Sequence, residues 1–370
     1  MTNILFLTLK VFSATGGIEK VCRIASKSLY EYGLENHKKV SISSLHDPAK
    51  SAFLNNYFPR NIFKGYGVNK AGFISNAVMK GREAEVVLLS HINLLPVGWL
   101  IKKLSPNTKL ILIAHGIEIW SPLKSYVLKM LKCCDKILAV SEFTRGKIIE
   151  THNFPAEKCL VLNNCLDPFL PLPKKMSDTE LRKRYGFTSE DKIIFTLTRI
   201  STEERYKGYD KVIEALALLQ NDHPLAKYLI SGSYDKIEKA KIDELIIKLG
   251  LTGRVVLSGF ISEEELSAHF NMADVYIMPS KKEGFGLVFI EAMYYSLPVI
   301  AGNVDGSRDA LLNGELGMLV NPDSIEEIKE ALEKVISGKN SFIPNRELLI
   351  NNFGYEAYKR NIENAIFNLN

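Results

Sequence analysis

The 370-residue chain contains no run of 18 apolar residues, so a helix spanning a bilayer is not expected. It contains no Cys-x-x-Cys, and its five cysteines (Cys22, Cys133, Cys134, Cys159 and Cys165) are scattered and odd in number. This pattern argues against a zinc cluster or a disulfide framework and predicts free thiols in a reducing cytoplasm. Internal repeats and low-complexity tracts are missing, which excludes a solenoid. Asn3–Leu9 lacks both a basic flank and a small-residue cleavage site, so it reads as a first buried strand and not as a signal peptide.

What is present is enough for two domains of ordinary size. The net charge of +5 is unevenly shared. Residues 1–170 carry 22 Lys and Arg against 12 Asp and Glu, a balance of +10, and the rest carry 25 against 30, a balance of −5. A basic first half favours an anionic partner. No zinc-finger, RNA-binding or helix-turn-helix signature is present, so nucleic acid is not expected. An acidic membrane surface or a lipid phosphate acceptor fits better.

Short apolar runs alternate with amphipathic segments throughout, the pattern of an α/β protein. Strands are expected near Ile4–Leu9, Val40–Ser44, Val86–Leu89, Leu110–Ala114, Ile137–Val140 and Leu160–Leu162. In the second half they are expected near Ile193–Thr198, Tyr228–Ile230, Val255–Leu257, Val275–Met278, Val299–Ala301 and Met318–Val320. Ser262–Glu265 and Ser324–Glu327 have the form of capping boxes and mark two helix starts. Three prolines within Asp167–Met176 cannot continue a helix or sit in a central strand, which places a domain boundary there. The expected domains are 1–170 and 171–345, two doubly wound Rossmann-like units facing across a cleft, with ligands at the carboxyl ends of the strands.

The most informative stretch is Ala273–Val320. The apolar run Val275–Met278 ends at Pro279-Ser280. A charged loop leads to Gly284-Phe285-Gly286, then to an apolar helical segment, and Val299-Ile-Ala301 is the next strand: a βαβ unit. A helix N-terminus offers unpaired N–H groups and a partial positive charge, which suit a phosphate. Gly284 and Gly286 allow close approach of an anion. With a helix beginning near Phe285, Glu291 lies roughly 9 Å along it, while Glu283 stays in the loop. Two carboxylates flanking a phosphate site match a nucleotide-sugar, with sugar hydroxyls at one end and ribose hydroxyls at the other.

The string EGFGLVFIEAM, with glutamates separated by seven residues, resembles glycosyltransferase family 4, retaining enzymes of the GT-B fold. The resemblance extends over nearly the whole chain and is most specific in 193–320. It implies that Glu283 and the amides of Gly284, Phe285, Gly286 and Leu287 contact the donor sugar and diphosphate, and that Glu291 binds the ribose. It also implies that residues 346–370 form a terminal helix crossing back onto the first domain. Arg199 and Lys207 occupy the family's Gly-Arg and Lys-Gly positions, with Thr198 in place of the glycine and Glu203-Glu204-Arg205 inserted before the lysine. Guanidinium and ammonium suit a diphosphate and would stabilise it as a leaving group.

Gly232, in Ile230–Asp235, stands where the family has a Gly-x-Gly turn, and the backbone near Phe260 stands where the family meets the base. Gly16-Gly17 matches the N-terminal glycine pair beside the donor phosphates. His115, at the end of the Leu110–Ala114 run, matches the histidine beside the transferred sugar. Glu118 either orients an acceptor hydroxyl or caps a turn. Ser141 is expected as an N-cap, and Asn164 and Asp167 as shapers of the interdomain turn. Asp-x-Asp is missing, so neither a metal nor another cofactor is expected.

Three basic apolar stretches, Phe58–Lys70, Trp99–Lys103 and Leu123–Lys136, can lie on a membrane or pack as ordinary helices with wet lysines. These readings imply a metal-independent hexosyltransferase with Glu283, His115, Arg199 and Lys207 at its centre. Its donor is a UDP- or GDP-sugar and its acceptor a glycan or lipid-linked saccharide. It is cytoplasmic, peripheral to the inner face of a membrane. The alternative is a non-catalytic nucleotide-sugar-binding protein of the same fold.

Overall fold

The computed structural model describes residues 3–51, 55–172, 178–338 and 342–367. The chain divides into two compact units, Met1–Phe169 with Asn352–Asn370, and Leu170–Asn351. Residues 173–176 of the proline-rich boundary and residues 368–370 of the terminal segment lie outside the described residues. Among the described residues no helix is long and apolar enough to cross a membrane.

The first unit is built on a seven-stranded parallel sheet. Its strands are β1 (Asn3–Thr8), β2 (Lys39–Ser44), β3 (Phe63–Gly65), β4 (Val86–Leu89), β5 (Lys109–Ala114), β6 (Lys136–Ala139) and β7 (Cys159–Val161). Their order is β3-β2-β1-β4-β5-β6-β7. Runs such as Leu110-Ile-Leu-Ile-Ala114 are apolar at every position because a parallel strand covered by helices is buried on both faces. On one face Leu5, Leu7, Val87, Leu89, Leu110 and Leu112 pack against Phe73, Ala77, Leu95, Ile101 and Leu131 from the covering helices. Helix Tyr355–Phe367 packs on helix Gly17–Glu35. Tyr355 donates to Glu31 at 2.6 Å, Lys359 reaches Glu35 at 2.5 Å, and the rings of Tyr32 and Phe367 stack at 3.8 Å.

The second unit holds a six-stranded parallel sheet. Its strands are β8 (Lys192–Leu197), β9 (Ala226–Ser231), β10 (Val255–Gly259), β11 (Val275–Met278), β12 (Val299–Gly302) and β13 (Met318–Val320), in the order β10-β9-β8-β11-β12-β13. In both sheets the strand order reverses direction once, between β1 and β4 and between β8 and β11. Loops leaving the carboxyl ends of such a pair diverge to opposite sides and open a crevice between them.

The predicted strands are found, with one omission. Phe58–Lys70, read as a basic stretch able to lie on a membrane, instead contains edge strand β3, paired with β2 through Ile42 and Phe63. Phe58 is buried, and its ring meets those of Phe12 and Phe63 at 5.8 and 6.0 Å. A three-residue strand is too short to show a period of two. The helix after β11 begins at Leu287, two residues later than expected, because Gly286 takes the left-handed conformation at φ 88°. Both predicted capping sites start helices. Ser324 accepts from the Glu327 N–H at 3.2 Å, while Ser262 starts its helix without a side-chain capping bond.

Close packing of β12 against the end of β11 requires Gly302, where an added Cβ would overlap the Ser280 carbonyl oxygen. Gly302→Ala is therefore expected to destabilise the second unit by about 1–3 kcal/mol, read as a lower urea midpoint. A variant as stable as the parent would contradict the packing described.

Candidate functional site

The crevice of the second sheet is formed by three loops, after β8, β11 and β12. The loop after β8 runs from Thr198 to Gly208 and contains a 3-10 turn, Thr202–Lys207. It is fastened to the loop after β9. The Ile200 N–H donates to Ser233 O at 2.9 Å, and the Thr202 N–H donates to the Asp235 carboxylate at 2.9 Å. Arg205, inside the inserted segment, lies 3.1 Å from Glu238, a carboxylate that is 1% exposed and also accepts from Tyr209 at 3.0 Å. The insertion is thus anchored to the second unit's interior two residues before Lys207. Gly208 follows in the left-handed region at φ 78°, where a Cβ would stand 2.5 Å from the Pro279 carbonyl. Only glycine lets the β8 and β11 loops approach so closely.

That approach brings Lys207 onto Glu283. The ammonium forms an ion pair with Glu283 Oε1, both side chains largely buried, and the Lys281 N–H donates to Tyr206 O at 2.9 Å. Asp305, in the loop after β12, fixes Glu283 from the other side. It accepts the Glu283 N–H at 2.6 Å and the Ser307 N–H at 2.9 Å, and the Gly306 N–H returns a bond to Glu283 O at 2.9 Å. Burial pulls the Lys207 ammonium down to about 8 against the upward pull of Glu204 and Asp305, and Arg199 adds to the depression. The Arg199 charge is thus felt at Lys207, although its guanidinium is 66% exposed and only 3.4 Å from Glu204. Burial pushes the Asp305 carboxyl up to about 7, against its bonds to Ser307 and the attraction of Lys207.

The remaining predicted residues of this unit divide by what they expose. Phe285 and Glu291 are both buried, at 1% and 4%. Gly286 and Leu287 start the helix at the crevice. Phe260 is 65% exposed just after β10. Gly232 has a packing reason of its own: at φ 136°, a Cβ there would overlap the Thr198 carbonyl.

In the first unit, Gly16 caps the helix that begins at Gly17, and the preceding loop is held by Asp47. This buried carboxylate accepts the N–H groups of Val11, Phe12 and Ser13 at 2.6, 3.1 and 2.7 Å. His115 follows β5. Its Nε2 bonds Ser90 O at 2.7 Å, so that nitrogen carries the proton, and its backbone N–H donates to Glu118 at 2.6 Å. Glu118 therefore caps the turn. Burial lowers His91, with Glu118 opposing and His115 reinforcing the shift. Ser141 caps its helix, accepting from Thr144 at 3.0 Å, and Asp167 accepts from Tyr57 at 2.5 Å.

Asp47, Glu238 and Asp305 were not singled out in the sequence. Asp305-Gly306 follows an apolar run as the other strand-end loops do, and that position was the available signal. Asp305 leads to a pH prediction. Its folded pKa lies above the unfolded value, so the folded chain holds the extra proton, and the contribution of this group is lost as pH rises toward 7. The stability of the parent relative to Asp305→Asn is expected to fall by at least about 1 kcal/mol between pH 5 and 7. Urea unfolding at the two pH values measures it, and a rising difference would contradict the burial of an ionisable Asp305.

Comparison with known proteins places the chain. Residues 39–168 match the family described as Glycosyltransferase Family 4, and residues 177–360 match Glycosyl transferases group 1. The capsular polysaccharide biosynthesis glycosyltransferase CapM of Staphylococcus aureus is 28% identical over 255 residues, 67% of this chain and 63% of CapM. A GDP-mannose-dependent alpha-(1-6)-phosphatidylinositol monomannoside mannosyltransferase of Mycobacterium tuberculosis is 27% identical over 245 residues, 63% of this chain and 62% of that protein. The chain spans about three-fifths of the length of these curated relatives. Among solved structures, Anabaena Alr3699/HepE in complex with UDP-glucose superposes with a TM-score of 0.80, 20% identity and full coverage of both chains. With two parallel-sheet units and both family matches in hand, the chain belongs to glycosyltransferase family 4, with the GT-B fold.

Proposed function

We propose that the protein is a retaining glycosyltransferase that moves a hexosyl unit from a UDP- or GDP-sugar to an acceptor hydroxyl on a lipid-linked saccharide or polysaccharide. The observation that carries this reading is the meeting of Lys207 and Glu283 at the β8/β11 switch point, beside the N-terminus of helix Leu287–Tyr294. Lys207, Arg199 and the helix N-terminus form the positive side of the crevice, which suits a diphosphate. Entry of the diphosphate would draw Lys207 toward it and free the Glu283 carboxylate for the hydroxyls of the transferred sugar. The same groups would neutralise the diphosphate as the bond to the anomeric carbon breaks.

Glu283 is held by its own N–H to Asp305 and paired with a lysine, an arrangement for accepting hydrogen bonds more than for attacking carbon. Same-face attack is therefore favoured, with a leaving phosphate oxygen taking the acceptor's proton. In the first unit, His115 with its Nε2 held by Ser90 is a contact for the transferred sugar. Gly16 and Gly17 border the donor phosphates, Gly232 and Phe260 line the nucleotide side, and Glu291 receives the ribose. The transfer needs no metal in this reading. The protein works in the cytoplasm at an anionic membrane face, as the basic first half favours.

A thermal-shift screen of UDP-, GDP- and ADP-sugars tests the donor class, since a ligand of the folded state raises the melting temperature by mass action. The matching donor is expected to stabilise the parent and to lose its effect in Lys207→Ala. Lys207→Ala, Arg199→Ala and Glu283→Ala are expected to lose most turnover. A Lys207→Ala enzyme with unchanged kcat and KM would remove the phosphate assignment, and an inverted anomeric product by NMR would overturn the mechanism. Donor binding with neither transfer nor hydrolysis would make the protein a nucleotide-sugar binder.

A pH effect follows from Lys207. Burial lowers the Lys207 ammonium to about 8, whereas an anionic diphosphate beside it would favour the charged form. Donor binding should weaken about tenfold per pH unit above 8 and should take up a proton there, measurable by calorimetry in buffers of different ionisation enthalpy. Lys207→Arg should remove the dependence.

A further inference from the structure

The inserted segment Glu203-Glu204-Arg205 brings two adjacent acids to the loop after β8, and the fold treats them differently. Glu203 is exposed, whereas the Glu204 side chain is 22% exposed and its Oε1 lies 3.4 Å from Arg199 Nη1. The backbone accounts for the difference. Glu204 leaves the helical region inside the 3-10 turn, at φ −113° and ψ 21°, and the chain is held on both sides of it. The Thr202 N–H donates to the Asp235 carboxylate at 2.9 Å, and the Glu204 N–H donates to Ser201 O at 2.9 Å. Arg205 is clamped by Glu238 at 3.1 Å and by Asp210 at 3.4 Å. The Glu204 carboxylate is therefore carried by a fixed backbone.

Its charge reaches the other groups of the crevice. Burial pulls Lys207 down, and Glu204 is the strongest upward pull against it, ahead of Asp305. Burial raises the Tyr206 hydroxyl, Glu204 adds to the rise, and Arg199 opposes it. Lys207 is already paired with Glu283. Arg199 and Lys207 thus each hold a carboxylate where a diphosphate would bring phosphate oxygens.

We propose that Glu204 is a built-in competitor of the diphosphate at Arg199 and that it speeds release of the nucleoside diphosphate after transfer. This role rests on the reading that Arg199 and Lys207 hold the donor diphosphate. A carboxylate at this place occupies a donor edge of the guanidinium and repels an incoming anion. The repulsion differs between donor and product. In the donor both ends of the diphosphate are esterified. When the bond to the anomeric carbon breaks, the terminal phosphate keeps the electron pair, takes the acceptor's proton and gives it up to water near neutral pH. The product then carries about one more negative charge than the donor. It has also lost the sugar hydroxyls that Glu283 would hold. Glu204 therefore acts most strongly on the species that must leave, a step that limits turnover in many enzymes.

Calorimetric titration of the full chain with UDP and GDP, and with UDP-glucose and GDP-mannose, is the test. Glu204→Gln keeps the shape of the side chain and removes its charge. It is expected to bind the nucleoside diphosphate about threefold to tenfold tighter than the parent does and to gain less for the sugar nucleotide. Product inhibition should strengthen to match. Glu203→Gln should change either affinity less than about twofold. In an Arg199→Gln background, Glu204→Gln should gain less, because its partner is gone. Unchanged affinity in Glu204→Gln, an equal gain for donor and product, or the same gain without Arg199 would overturn the proposal. So would weaker binding, which makes Glu204 a donor contact if the urea midpoint is unchanged and a support of the loop if the midpoint falls. If neither UDP nor GDP binds the parent, or Arg199→Gln binds them as the parent does, the donor reading itself fails and this role with it.

Discussion

The pairing of Lys207 with Glu283 places opposite charges in a largely buried site, and much of the second unit is arranged to hold them there. Burying an ammonium and two carboxylates is costly unless each finds partners. Glu283 is bonded by Lys207 through its side chain and by Asp305 and Gly306 through its backbone. Asp305 satisfies its oxygens on two N–H groups. Gly208 and Gly302 remove the Cβ atoms that would keep the three loops apart. The Lys207–Glu283 pair is therefore fixed by bonds and close packing from three loops.

Strand order makes this meeting possible. Residues 199–207 and 283–286 are about eighty positions apart in sequence, but β8 and β11 are hydrogen-bonded neighbours, so the loops at their ends are adjacent. The first sheet has the same reversal at β1 and β4. There the loop before Gly16 is fixed by Asp47, and the edge carrying Ser90 and His91 supports His115 from its neighbour strand. Each unit thus uses buried carboxylates to hold the backbone that carries its polar side chains.

Much of the site was legible because its chemistry is local. Glycine-bearing loop, helix and glutamate spacing occur within Glu283–Glu291, and Arg199 and Lys207 sit at a recognisable strand-to-helix corner. The missed residues act at a distance. Glu238 matters through Arg205, by which the inserted segment is anchored. β3 escaped notice because three residues carry no period. Glu204 became distinct from Glu203 only once the fold set it 3.4 Å from Arg199.

From the sequence alone came the α/β class, the family, and the candidate residues for its chemistry. Each depends on near neighbours: apolar runs of strand length, glycines where the chain must turn, charges at fixed spacing. Tertiary structure decided which of these residues meet, that Asp305 holds Glu283, that Glu118 caps a turn, and that Glu204 meets Arg199. Those outcomes depend on strand order and on which side chains exclude water, and neither is a property of any local stretch of chain.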